Sequence, residues 1–197
     1  MNVKNELEKS AELSRNLFLN DVELDPMAIR AVMINEVVPA DPGQDFYGET
    51  GGDYISSALQ LFHAAGARAA SASDILQMGI YITNAVKMPN TEYAVEKSSL
   101  LQSLPCLERE LALFPNVKVI MLMGDVAKKA FNMLTKKATG KNIVPSVSTY
   151  KLRDSELYWG GARVLPSYIM TGGNILIEKS KVKMITEDIA VMLSLLK

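Results

Sequence analysis

The run VKVIMLMG, Val117 to Gly124, offers apolar side chains at so many consecutive positions that a strand built from it has no face to give to water. Such a strand belongs at the centre of a parallel sheet covered on both sides. Its flanks agree. Pro115 and Asn116 end a helical stretch before it, and Asp125 opens an amphipathic helix after it, DVAKKAFNML, with Val126, Ala130, Met133 and Leu134 inward and Lys128 and Lys129 outward. Two further strands run from Ala31 in AVMINEVV and from Ile80 to Val86 in IYITNAV, and Tyr158 to Tyr168 supplies a fourth strand region. Helices fall between them. Leu7, Leu13, Leu17 and Phe18 recur at helical spacing, Asp53 is placed to cap a helix through Ala65, and Ser73 to cap a short one that stops at Gly79. A longer helical stretch covers Glu96 to Phe114, interrupted at Pro105, and Lys181 to Leu196 closes the chain. Alternating strands and helices predict an α/β fold, a three-layer α/β/α sandwich around a central, mainly parallel four-stranded sheet.

Composition sets the size and excludes several chemistries. The 197 residues, 48% hydrophobic, suit a single domain over 1–197, with residues 1–30 as an N-terminal helical extension. A net charge of −1 gives no global basic field, so any contact with DNA is expected to be local. One cysteine, Cys106, and one histidine, His63, leave too few ligands for a disulfide, a zinc site or a thiolate-held cluster. No cofactor or metal is expected. The charged start, MNVKNELEKSAELSRN, does not read as a secretory signal, and no run reaches the roughly 18 apolar residues of a membrane span. The expectation is a cytoplasmic protein with no membrane partner.

Open α/β sheets place chemistry at their carboxyl strand ends. AVMINEVVPADPGQDFYG runs from a strand into an acidic, Gly- and Pro-bearing loop that ends on Phe46 and Tyr47. IYITNAVK ends on Thr83 and Asn84. A carboxylate, an aromatic pair and a carboxamide at one rim suit a flat, hydrogen-bonding ligand such as a nucleobase. Asn84 can donate and accept in one plane, and Phe46, with Tyr47 beside it, can offer a π-face. Glu36 and Asp45 compete for the acid that would serve a water.

The order of these segments resembles the uracil-DNA glycosylase superfamily, in particular its cluster-bearing branch. AVMINEVVPADPGQDFYG is similar to that branch's first motif, an apolar strand, GEAPG, a loop and GxPFxG, with Glu36 on the acid and Phe46 on the aromatic. IYITNAVK resembles YITNxVK, and CLERELALFPNVKVIMLMGDVAKKAF resembles CxxxLxxELxxxxPKVIxxLGxxA. VLPSYIMTGG, followed by KVKMITEDIAVML, resembles VFPTYHPAAL and a closing helix holding WEDL. A shorter likeness, Gly43 to Asp45 followed by Phe46 and Tyr47, echoes the GQDPYH of the superfamily's best-known branch, in which the Asp handles water and the Tyr excludes methylated pyrimidine.

The resemblance implies a nucleobase pocket and hydrolysis of an N-glycosidic bond in DNA: Phe46 stacks the base, Asn84 reads its edge, and Glu36 or Asp45 serves the water. The departures are equally specific. Asn35 replaces the first glycine of GEAPG, and Tyr168, Ile169 and Met170 stand where the family has YHP, so the histidine is gone. Losing one donor of that kind typically lowers the rate on the order of 100- to 1,000-fold. Cys106 is the one cluster cysteine kept, with Met88 in place of another, so no iron–sulfur cluster is expected. In the final loop, Tyr168 and Thr171 are substrate-binding candidates, and Gly172 and Gly173 let backbone amides approach a phosphate. His63 reads as a packing residue. Lys128, Lys129, Lys136, Lys137 and Lys141, with Lys179, Lys181 and Lys183, are local phosphate-facing strips or solvated helix faces. The reading is a uracil-DNA glycosylase-like domain, whose alternatives are a catalytically inactive nucleic-acid or nucleotide binding protein on the same fold and a hydrolase of small nucleosides.

Overall fold

The computed structural model describes residues 1–9, 16–90, 94–171 and 177–197. Leu13, Gly172 and Gly173 lie outside the described residues. A five-stranded sheet, ordered β2-β1-β3-β5-β4, forms the middle layer. It consists of β1 (Ala31–Val37), β2 (Ile80–Val86), β3 (Val119–Met123), β4 (Leu157–Trp159) and β5 (Ala162–Ser167). β1 pairs in parallel with β2 and β3, β3 pairs in parallel with β5, and β4 alone runs antiparallel.

The expected fourth strand region is two strands. Gly160 and Gly161 both adopt positive φ, 56° and 86°, and fold Leu157 to Ser167 into a tight hairpin. A two-residue loop with positive φ at both positions matches the right-handed twist of its flanking strands, so the Gly-Gly pair in YWGGAR carried the signal for the fifth strand.

Strand alternation splits the core into two. Val32, Ile34, Tyr81, Ile120, Leu122 and Val164 face one layer, made by α1 (Val3–Glu8), α4 (Lys97–Ala112) and α5 (Asp125–Thr139). Ala31, Met33, Ile82, Met121, Met123 and Leu165 face the other, made by α2 (Asp53–Ala64), α3 (Ala72–Gln77) and α7 (Lys179–Leu195). A one-turn helix, α6 (Thr149–Leu152), precedes the β4–β5 hairpin. Within the first 30 residues the described helix is α1 alone, whose Val3 and Leu7 belong to the α4 side of the core.

Several local expectations shift by one interaction. Ser71, not Ser73, caps α3, its side chain accepting from the Asp74 amide. Gly52 precedes α2, and Asp53 is its first residue rather than its cap. α4 runs unbroken through Pro105: Leu101, the residue whose carbonyl Pro105 leaves without a helical donor, is on the exposed side. Lys128 is not outward. It is 8% exposed, and its ammonium bonds the Thr149 hydroxyl and pairs with Asp125 at 2.6 Å.

β2 is one of the two edge strands, β4 being the other, and two devices cover it. The Tyr47 hydroxyl accepts from the Ile82 amide at 3.0 Å, while Asn20 donates to the Ile82 carbonyl at 3.1 Å. On the α4 side a buried polar hub ties β2 to the helix. Glu110, 1% exposed, accepts from the Tyr81 hydroxyl at 2.6 Å and from Thr83, and pairs with the Lys87 ammonium, itself 2% exposed. A buried pair of this sort is weak evidence for stability as a whole, but removing one partner strands the other charge. Lys87→Met is therefore expected to lower stability by about 3–5 kcal/mol, which thermal melts read as roughly 2–4 °C for each kcal/mol in a chain of this size. Adding Glu110→Gln to that variant is expected to recover part of the loss, and an additive outcome would mean the two groups do not depend on each other.

Candidate functional site

The parallel register sets Asn35 of β1 beside Asn84 of β2 at the carboxyl end of the sheet. The pleat points both toward the α2 and α7 layer, along with Ala31, Met33 and Ile82. Asn35 donates to the Asn84 carbonyl oxygen at 2.8 Å, and Asn84 donates to the Asp45 carboxylate at 2.7 Å. The other Asp45 oxygen accepts from the Phe46 amide at 2.9 Å. At the opposite end, the Thr171 hydroxyl donates to Asn35 at 3.4 Å and is hydrogen-bonded to Tyr54. Asn35, Asn84 and Asp45 are all 2% exposed or less.

This chain of hydrogen bonds has a direction. Asn84 uses one amide hydrogen and one carbonyl lone pair on its neighbours, and the carboxamide has one more of each in the same plane. Asp45 receives only neutral donors at close range, so burial dominates and raises its pKa above the usual carboxylate range, with the bonds from Asn84 and Phe46 and the more distant Lys87 charge opposing. A carboxylate raised by desolvation beside a carboxamide is the combination expected of a site that holds a water or a developing charge.

Glu36 is elsewhere. One residue further along β1, it points to the opposite face of the sheet, where its carboxylate accepts from the Val126 amide at 3.0 Å at the start of α5. It is packed so closely that a side chain on Gly124, at φ 105°, would begin 2.3 Å from the Glu36 oxygen. Burial raises its pKa as well, opposed by the helix amides. The structure therefore separates the two candidate acids: Asp45 joins Asn84, and Glu36 caps a helix.

The aromatic candidates also divide. Phe46 is 2% exposed, with its ring 5.5 Å from Tyr54, and both flank the carboxamide chain. Tyr47 leaves the site. Its ring stacks on Tyr81 at 5.8 Å, and its hydroxyl serves the β2 edge. Phe46 and Tyr47 border a cavity of about 440 Å³ toward Ile55, Ser56 and Ala72, which Asn84 does not line. Tyr168 is half-buried against the α2 and α7 core, and Met170 is fully buried. His63 lies far along α2, exposed rather than packed in the core as expected, with its ring against the Ala69 carbonyl.

Two participants were not singled out in the sequence. Asn35 drew notice only as a departure from a glycine, although its place one pair across from Asn84 follows from strand alternation. Tyr54 gave no signal, because its contact with Thr171 depends on how α2 returns over the strand ends.

Among the described residues no group of three or more His, Cys, Asp or Glu is placed to hold a metal ion. The family's cluster does not fit these residues. Cys106 is buried in the α4 core, its thiol pushed up to about 11 by desolvation, and one protonated thiol cannot replace four thiolates.

Asp45 gives a stability test whose sign is fixed. Its folded pKa lies above the reference value of 3.8, so the protonated form is the favoured one in the fold, and that stability is lost as pH rises through the folded value. Asp45→Asn, which imitates the protonated acid, is expected to raise the melting temperature by a few degrees at pH 7.5, with the gap narrowing as pH falls toward 4. A lower melting temperature at neutral pH would mean that the charge contributes net stability.

A family model for the uracil DNA glycosylase superfamily matches residues 37–171, well over half of the chain. The span includes Asp45, Phe46 and Asn84 and ends on Thr171. No curated protein matches the chain.

Proposed function

The chain belongs to the uracil-DNA glycosylase superfamily, and on that premise we propose that it binds a nucleobase at the β1–β2 strand ends and hydrolyses the N-glycosidic bond of a deaminated base. The observation that carries the reading is the buried line Thr171, Asn35, Asn84, Asp45, in which the carboxamide and the carboxylate share a hydrogen bond.

Asn84 is the reader. Its uncommitted N–H and lone pair complement the carbonyl and imide N–H on the edge of uracil, and Asn35 fixes the plane of the carboxamide. A base edge docking on those free groups leaves the bond from Asn84 to Asp45 in place, so the carboxylate stays held at the rim to orient a water against the sugar carbon as the base departs. Phe46 supplies the stacking face. Because Phe46 and Asn84 are both 2% exposed, a base reaches them only when the segment carrying Asp45 and Phe46 moves aside. Glu36 acts through the α5 cap rather than on the base.

The second reading, a binding protein without catalysis, draws support from one place. Ile169 and Met170, half-buried and fully buried, occupy the position where the family carries its histidine, and neither can donate to a departing base.

The two readings separate on one panel. Single-stranded and duplex oligonucleotides containing uracil are incubated at high protein concentration and abasic sites are cleaved with alkali. Slow release of base is expected, with Asp45→Asn lowering kcat by about 100-fold or more and Asn84→Ala weakening binding by roughly 1–3 kcal/mol. The catalysed rate should fall on the acid side at a pH above the ordinary Asp range, since the base must be ionised and its pKa is raised. Ile169→His is expected to raise the rate by on the order of 100-fold. Silence of both the native chain and Ile169→His, with uracil-dependent binding retained, selects the binding protein.

A further inference from the structure

On the α5 side of the strand-end rim, a groove of about 590 Å³ runs from Asp125 along the helix to Lys136, with residues 142–148 as its second wall. It starts at the carboxyl end of the sheet, on the face opposite Asn84: the amide of Val126, next to Asp125, is the one that Glu36 caps. The groove is built rather than incidental. Asn132 clamps the far wall twice, donating to the Val144 carbonyl at 2.8 Å and accepting from the Val144 amide at 2.9 Å, and Lys128 holds α6 through Thr149.

The charge within it is uneven. Asp125, the acid among the lining residues, is paired with Lys128 at 2.6 Å. Lys129 and Lys136 are exposed and have no acidic partner among the described residues, so the open floor is positive although the chain as a whole carries −1. They are two helical turns apart on one face, about 10.5 Å by helix rise. At the rise of about 3.4 Å per nucleotide of a stacked, B-form strand, that spans about three nucleotides. Val147, which lines the groove, is 50% exposed, and Tyr150, two positions after the groove-lining Ser148, is 68% exposed. An aromatic ring held out beside a cationic channel is the arrangement that grips a single-stranded nucleic acid without reading its sequence.

We propose that this groove is an accessory docking surface for a single nucleic-acid strand, with Lys129 and Lys136 on phosphates about three nucleotides apart and Tyr150 stacking an unpaired base. The proposal rests on the nucleobase reading above and narrows it, making a polymer the substrate and a free nucleoside a poor one.

The probe is a fluorescein-labelled, uracil-free deoxyoligonucleotide, single-stranded or annealed, followed by anisotropy from 50 to 200 mM salt. The native chain is expected to bind the single strand more tightly than the duplex. Lys129→Gln with Lys136→Gln should reduce the slope of log K against log salt by about 0.7 for each lysine. Tyr150→Ala should weaken the single strand about tenfold with the salt slope unchanged. Melting curves confirm the fold, since all three side chains are exposed. No binding of the uracil-free strand at 50 mM salt overturns the proposal, as do unchanged slope and affinity in both variants, or tighter duplex binding that ignores Tyr150→Ala. Because the probe contains no uracil, the outcome is independent of turnover: absent base release alongside lysine-dependent binding sinks the hydrolase reading and leaves this surface standing.

Discussion

A sheet that is apolar on both faces leaves polar chemistry nowhere to go but its strand ends, and the register of β1 on β2 decides which groups meet there. Pairing Asn35 with Asn84 puts two carboxamides at adjacent positions on one face, close enough to bond at 2.8 Å. Everything else at the site is arranged around that pair. The loop after β1 returns to hand Asp45 to Asn84, and the segment after β5 returns to hand Thr171 to Asn35. A slip of one residue in either strand would turn its own carboxamide into the α4 and α5 layer and part the pair. The apolar residues of β1 that fill two separate cores prevent it.

The two most deeply buried carboxylates of this sheet end show how scaffold and site differ. Glu110 receives a lysine, a tyrosine hydroxyl and a threonine hydroxyl, a set that neutralises it and fixes α4 against the edge strand. Asp45 receives a carboxamide and a backbone amide, both neutral, and burial raises its pKa. The first arrangement is satisfied as it stands. In the second, burial favours the protonated acid over the charge, the kind of perturbation that marks a candidate working group in a rigid fold.

What the sequence disclosed follows the strength of its periodic signals. β1, β2, β3 and the opening of α5 were legible because long apolar runs with clear stops leave little choice. Asp45, Phe46 and Asn84 were legible by their positions at strand ends. The choice between Glu36 and Asp45 was legible too, had alternation been followed to the end of β1. Ala31 and Met33 share a face with Asn35, whereas Glu36 follows Val32 and Ile34 to the other. Two features were beyond local pattern. Tyr47 reads as a ligand aromatic, and only the tertiary path of the loop turns it onto Tyr81 and the β2 edge. Lys128 reads as solvated, and only the arrival of α6 with Thr149 makes an inward ammonium affordable.

The closed state of the carboxamide chain bears on how a fold of this family works without its histidine. An imidazole can donate a strong or charged hydrogen bond to the departing base, whereas a carboxamide offers only its dipole to the edge it holds. With Ile169 and Met170 in that place, the proposed hydrolysis draws its stabilisation of the departing base from the Asn84 and Asn35 dipoles, which are strong only where water is excluded. The near-complete burial of Asn35, Asn84 and Asp45 supplies such a setting. Under the proposed hydrolysis, turnover is limited by how often the Asp45 and Phe46 segment opens, and exclusion of solvent takes over part of the role that the resemblance gives to the histidine.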